Sequence, residues 1–431
     1  MRSIVINGIF VTVNQDNEII TDGSMIFEDD VITFIGESPE DLSKFDQVID
    51  ARGNIVMPGL INTHGHGAMS LLRGYGDDLP LQEWLEKKMW PIEGRFTKEH
   101  VKWGTLLAIL EMLKTGTTTY SDFYIHMDVV ADVIEGVGIR ANLSRGIIGI
   151  GASSEEKQLK LSEAENFAKN WNNKADGRIT TMMSPHALYT CSPNFISKIV
   201  ESATMIQVPI QIHLSETAFE VEQNLKQYGV TPVKHLQQLG VFEHPTLIAH
   251  AVHVTEEEIE IIKNYQVNVS HNPGSNLKLG SGIAPIPKML DQGIYVSLGT
   301  DSAASNNNLD LFEEMRLAAL IHKGYGQDPL AIPADIAIKM ATIYGAHSLF
   351  IGHYTGSLEV GKKADFIIVD VNQPHFHPMY NPITHLVYSA AGKDVVDVFV
   401  NGKQLVKKGQ VQTIDEERVI YEVKRLANEW A

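Results

Sequence analysis

The middle of the chain alternates short apolar runs with amphipathic stretches, and this alternation limits the fold more than any other feature. Runs suited to strands fall at 55–62, 117–123, 139–144, 179–184, 208–213, 246–250, 267–270 and 294–299. Helical patterns lie between them, among others at 99–114, 194–205, 217–228, 255–264 and 285–292. Eight strands, each followed by a helix or a long loop, fit a parallel (β/α)8 TIM-type barrel better than an open doubly wound sheet. The doubly wound alternative wants a glycine-rich phosphate turn early, and none follows the first strand.

Both ends read differently from the middle. SIVINGIFVTV and SMIFEDDVITFIG are strand-like, with turn signals between them. GSLEVGKKADFIIVD, from Gly356 to Asp370, suggests a strand pair, and Val395–Val400 followed by Asn401-Gly402 is a hairpin signal. The expectation is α/β: a barrel catalytic domain at 56–355 and a small composite β-sandwich built from 1–55 and 356–431. A barrel of about 250 residues or more can form a single unit, so 431 residues leave room for such a satellite.

A formal net charge of −18 speaks against nucleic acid as a partner, since phosphate binding needs a basic face. No run of about 18 apolar residues suggests a membrane span, and the N-terminus lacks a signal-peptide core. The lone cysteine, Cys191, excludes an intrachain disulfide and fits a cytoplasmic setting. Any metal must therefore be held by histidine and carboxylate, and there are 17 histidines to draw on.

Several of those histidines fall at expected strand ends, the face where barrel enzymes carry their chemistry. His64 and His66 end the first strand in THGHG, His186 follows the fourth and His213 ends the fifth. His250 ends the sixth, His271 follows the seventh, and Asp301 ends the eighth in SLGTDSAASNN. The simplest metal set is His64, His66, His213 and Asp301. Three imidazoles and a carboxylate suit a divalent ion, with zinc the first candidate and iron, nickel or manganese also accommodated. Such an ion brings the pKa of bound water towards neutrality. Glu216, in QIHLSET, is placed to shuttle a proton above that site, although an acid there also suits a helix start. His250 in LIAHAVHV is the candidate partner for the water, with His253 as a competing choice. His271 reads as a pocket-wall residue. His100, His126, His235, His244, His322, His347, His353, His375, His377 and His385 lie on helical or peripheral segments and read as structural.

Together, PGLINTHGHGAMSLLRG, QIHLSET, LIAHAVHV, SLGTDSAASNN and GSLEVGKKADFIIVD resemble the amidohydrolase superfamily along nearly the whole chain. The pattern is most similar to the aminohydrolase branch, which removes ammonia from heterocyclic bases. That resemblance implies the metal role for His64, His66, His213 and Asp301, and proton transfer at Glu216, His250 and Asp301. It implies a small-molecule nucleoside substrate deaminated at its adenine C6, with 5′-methylthioadenosine, S-adenosylhomocysteine and adenosine as candidates. Guanine deaminases and s-triazine hydrolases of the same branch are the alternative.

Substrate contacts are implied at Glu93, His186 and Arg145, besides Glu216 and Asp301. Glu93 suits a ribose diol, His186 a purine nitrogen, and Arg145 the carboxylate of a homocysteine tail. Arg140 lies close enough to leave open which arginine is structural. Two-metal members often use a lysine at the end of strand four, and RITTMMSPHALYT has none, so one metal per subunit is expected. Trp84, Leu85, Met89 and Trp90 suit either a pocket wall or a contact within a homo-oligomer.

Overall fold

The computed structural model describes residues 1–430 and arranges the strands in three sheets. Strands β1 (Leu60–Asn62), β2 (Thr117–Tyr124), β3 (Arg140–Ile147) and β4 (Ile179–Thr181) form a parallel sheet with the short Ser184–Pro185. Strands β5 (Ile210–Leu214), β6 (Thr246–His250), β7 (Asn268–His271) and β8 (Val296–Leu298) form a second parallel sheet. Backbone hydrogen bonds join the two at both edges. Met183 NH donates to Pro209 O (2.9 Å), and Met183 O accepts from Gln211 NH (3.0 Å). At the other edge Thr63 NH donates to Leu298 O (2.9 Å) and Asp301 NH to His64 O (3.0 Å). Almost every residue of these strands is buried, as parallel strands covered by helices on one side and packed inward on the other must be. Small hydroxyls fill part of the interior: Thr63 Oγ1 lies 2.7 Å from Ser270 Oγ and 2.9 Å from Ser297 Oγ.

Helices Lys98–Lys114, Pro193–Ile206, Ala218–Tyr228, Glu256–Asn264 and Ile286–Asp291 stand where the periodicity places them. Thr97 and Thr255 cap two of them, each in a reciprocal capping box. No helix among the described residues is long and apolar enough to cross a membrane.

A third sheet of nine strands takes five strands from the N-terminal 58 residues and four from 366–411. It has its own core, in which Phe366 and Phe399 stack at 4.3 Å and Phe27 meets both edge-on. The Asn401-Gly402 turn has φ of 46° and 70°, the left-handed pair that a tight hairpin needs, and it joins Val395–Val400 to Lys403–Lys407.

Three sequence expectations need correction. The run 55–62 is two strands, not one. Ile55–Pro58 pairs antiparallel with Phe366–Val369 in the terminal sheet, and β1 starts afresh after Gly59. A Cβ on Gly59 would lie 2.1 Å from the Thr118 side chain, so the chain can cross between sheets there only without one. Gly59→Ala is expected to destabilise the protein by roughly 1–3 kcal/mol through overpacking. A denaturant midpoint equal to that of the parent would refute this. Second, Gly356–Asp370 holds one strand, Phe366–Val369, rather than a pair. The residues before it instead tie down other loops, with Leu358 NH on Thr12 O and Ala364 NH on Asp30 O. Third, the C-terminal end is not all β: Glu416–Ala427 is a helix, capped by Asp415, and it packs on Lys98–Lys114.

Arg140 and Asp365 join β3 to the terminal sheet. Both are buried and paired at 2.8 Å. Arg140 also bonds Asn401, and Asp365 accepts from Asn401 NH (2.7 Å) and Thr355 Oγ1 (2.9 Å). Arg140 is thus the structural arginine of the pair.

Candidate active site

The ends of β1, β5, β6 and β8 bring His64, His66, His213, His250 and Asp301 to one point. The Nε2 atoms of His64 and His66 lie 3.6 and 3.4 Å from Asp301 Oδ1. The His64 ring centre is 4.8 Å from that of His213 and 5.3 Å from that of His250. Two sets present ligand atoms within 4.8 Å of one another: His64, His66 and Asp301, and His64, His213 and His250. His66 and His213 each direct Nδ1 at a backbone carbonyl, of Phe123 and His186 respectively, at 2.9 Å. That contact places the proton on Nδ1 and leaves the Nε2 lone pair facing inward, the tautomer a metal ligand requires.

The donor set fits a divalent metal. The Nε2 atoms of His64 and His250 are buried without a hydrogen-bond partner, which is costly unless something else satisfies them. Burial, then the neighbouring imidazoles, drives His64 and His213 well below the ordinary histidine pKa, so they stand neutral. Burial opposes charge on Asp301 too, but His66 and His250 outweigh it and hold the carboxyl below its usual range.

Backbone strain accompanies the cluster. Ser215, His250 and Asp301 have φ of 52°, 76° and 58°, a region costing non-glycine residues about 1–3 kcal/mol each. Local hydrogen bonds hold these conformations. Ser275 and Ser305 hydroxyls donate to Asp301 Oδ2 at 2.6 and 2.9 Å, and Ser302 NH donates to Oδ1 at 2.8 Å. His250 Nδ1 is 2.8 Å from Asn276 Oδ1. Glu220 accepts from the amides of Ser215 (3.0 Å) and Glu216 (2.8 Å), which fixes the turn after β5. Burial pushes the Glu220 carboxyl to about 7.

Glu216 is not in the ligand set. Its Oε2 lies 3.8 Å from His250 Nε2, and burial raises its pKa, as a proton-carrying acid needs. His250 is held above its ordinary value: burial opposes its charge, but Glu216 and Asp301 outweigh that.

A cavity of about 850 Å³ is lined by His66, His213, Glu216, His250 and Asp301, and equally by Glu93, Arg145 and His186. Glu93 is half-buried, accepts from the Tyr124 hydroxyl, and has its pKa raised by desolvation. His186 is pushed down to about 3 by burial and contacts Thr190 Oγ1 at 3.1 Å. Arg145 pairs with Glu163 at 3.1 Å. Trp84, Leu85 and Trp90 are wall residues of this cavity, whereas Met89 is fully buried in the core.

Three histidines depart from expectation. His271 does not line the cavity; its Nε2 meets His322 Nε2 at 3.3 Å. Successive strand residues face opposite ways, and Ser270 faces the interior, so His271 must point outward. His322, on helix Leu311–Gly326 as expected for a structural histidine, is buried. His253 also misses the cavity and meets Ser281 O at 2.7 Å, while His126, read as structural, lines it. The supporting residues Ser275, Asn276, Ser305 and Glu220 escaped the sequence reading. Their only signals were the small polar runs after β7 and β8, and an acid four residues beyond Glu216.

Fold and site together define a class: the chain belongs to the amidohydrolase family, whose pattern matches residues 55–405. Among curated relatives, the 5-methylthioadenosine/S-adenosylhomocysteine deaminase of Caldanaerobacter subterraneus subsp. tengcongensis is 47% identical over 425 residues, 99% of this chain and 98% of that protein. Its counterpart from Halalkalibacterium halodurans is 49% identical, covering 98% and 97%. A 5′-deoxyadenosine deaminase of Methanosarcina acetivorans is 47% identical, covering 100% and 98%. Among solved structures, a zinc-bound adenosine deaminase from Xanthomonas campestris is 32% identical with a TM-score of 0.94, covering 99% of this chain and 98% of that one.

Proposed function

We propose that the chain is a hydrolytic deaminase of adenine nucleosides, acting on 5′-methylthioadenosine and S-adenosylhomocysteine and releasing ammonia and the inosine analogue. The observation that carries this reading is a single cavity lined by the metal-type cluster, by Glu216, and by Glu93 and His186. Relatives 45–49% identical over almost their whole length and named for those two substrates support it. The triazine hydrolase and guanine deaminase neighbours, 23–24% identical, share the fold only.

His64, His66, His213 and Asp301 would hold one divalent metal per subunit, zinc first, given the three imidazoles and one carboxylate. The zinc in the Xanthomonas campestris neighbour supports that choice. When bound, such an ion supplies Lewis acidity that makes water a nucleophile near neutral pH. Glu216 carries a proton to the ring nitrogen beside C6 as the water oxygen joins that carbon. His250 and Asp301 take the proton the water gives up. Asp301 then returns it to the amino group, the C6–N bond breaks and ammonia leaves, and the remaining hydroxyl proton passes back to Glu216 as the C6 carbonyl forms. Glu93 accepts the ribose hydroxyls, His186 donates to the purine, and Arg145 receives the carboxylate of the longer substrate.

The same reading takes the two parallel sheets as one closed (β/α)8 barrel, on the strength of the hydrogen bonds at both edges. The terminal sheet, with a core of its own, is read as a composite β-sandwich domain. The setting is read as cytoplasmic.

Ammonia release from 5′-methylthioadenosine, S-adenosylhomocysteine, adenosine and 5′-deoxyadenosine, measured on metal-quantified protein, tests the proposal. Turnover of the first two, abolished by chelation and restored by zinc, is the expected result. Turnover of guanine or a triazine with none of the nucleosides would overturn it.

A further inference from the structure

We propose that Trp430, at the C-terminal end of the chain, is a positioning residue for the ribose-binding carboxylate, Glu93. The inference rests on the role assigned to Glu93 above.

Trp430 leaves the terminal domain after helix Glu416–Ala427 and stacks on residues that flank the cavity. Its ring lies 5.4 Å from Phe96 at an interplanar angle of 9°, and 5.1 Å from His100 at 23°. Phe96 and His100 themselves stack at 5.4 Å and 15°, so the three rings pack together nearly in parallel. Charged contacts fix the same junction: Arg425 pairs with Glu99, and His100 Nε2 is 3.4 Å from Glu429 Oε2.

The connection to Glu93 is short. Phe96 lines the cavity and donates its backbone amide to Glu93 O at 2.9 Å. Its ring meets Tyr124 edge-on at 6.4 Å, and the Tyr124 hydroxyl donates to the Glu93 carboxylate. Glu93 has no cation pairing with it, so Tyr124 and the Phe96 turn are what aim it. Trp430 backs that turn, and the rings it stacks on, Phe96 and His100, are not those of the metal-type cluster. Its loss should therefore weaken ribose recognition and spare proton transfer.

The test compares 5′-methylthioadenosine with a 2′,3′-dideoxy adenine nucleoside, which offers Glu93 no diol. An aromatic contact is worth up to about tenfold in binding, so Trp430→Ala should raise KM for the first by roughly that factor and change kcat little. KM for the dideoxy substrate should stay put, Trp430→Phe should restore the first, and Trp430→Ala should add nothing in a Glu93→Gln background. Equal loss on both nucleosides, additivity with Glu93→Gln, or an unchanged KM overturns the assignment. Wild-type protein that turns over neither nucleoside would instead overturn the functional reading, and this inference with it.

Discussion

Glu216→Gln keeps its metal and loses between roughly 10²- and 10⁴-fold in kcat, the range that a positioned acid–base group supplies. The amide has nearly the shape of the acid, and the turn that carries it is held through backbone amides by Glu220 rather than by its own side chain. Because Glu216 lies outside the His64, His66, His213 and Asp301 set, metal content should match wild type. What the amide cannot do is carry a proton to the ring. Ammonia release alongside metal quantification decides the point: near-normal turnover, or protein purified without metal, removes Glu216 from the role proposed for it.

The second large effect is on stability. Arg140→Met leaves Asp365 buried with two hydrogen bonds and no counter-charge. Breaking one side of a buried pair costs roughly 3–5 kcal/mol, a large part of a domain's stability. Replacing both partners, with Asp365→Asn added, should recover part of the loss, because no unpaired charge is then stranded. The shift in denaturant midpoint measures both. A change below about 1 kcal/mol in the single variant would mean that the pair is an ordinary surface-type contact.

The two effects bear on what could be read from residues alone. The THGHG motif was legible because its spacing is local: two imidazoles two residues apart on an extended segment face one way. His213 and Asp301 were legible because each ends an apolar run. The same reasoning misplaced His271, since a strand-end position says nothing about which face the side chain takes until register is known. Asn276, Ser275 and Ser305 stayed hidden because a small polar residue carries no signal before the fold sets its partner. The single strand expected at 55–62 failed for a related reason. Ile55, Val56 and Met57 look like any buried strand, and only pairing with Phe366–Val369 assigns them to the other sheet. Helix Glu416–Ala427 was masked by the strand-rich residues before it, although Val419 and Leu426, seven residues apart, are buried on one face.

The crossing at Gly59 also sets a timetable for synthesis. Strand Ile55–Pro58 is made early but finds its edge partner more than 300 residues later, and Arg140 waits 225 residues for Asp365. The earliest part of the catalytic scaffold therefore leaves the ribosome with an apolar strand edge and a guanidinium both unprovided for. Contacts this distant in sequence form late and keep sticky surface exposed meanwhile. The first four strands can pair among themselves, but strand Ile55–Pro58 is completed only when Phe366–Val369 emerges.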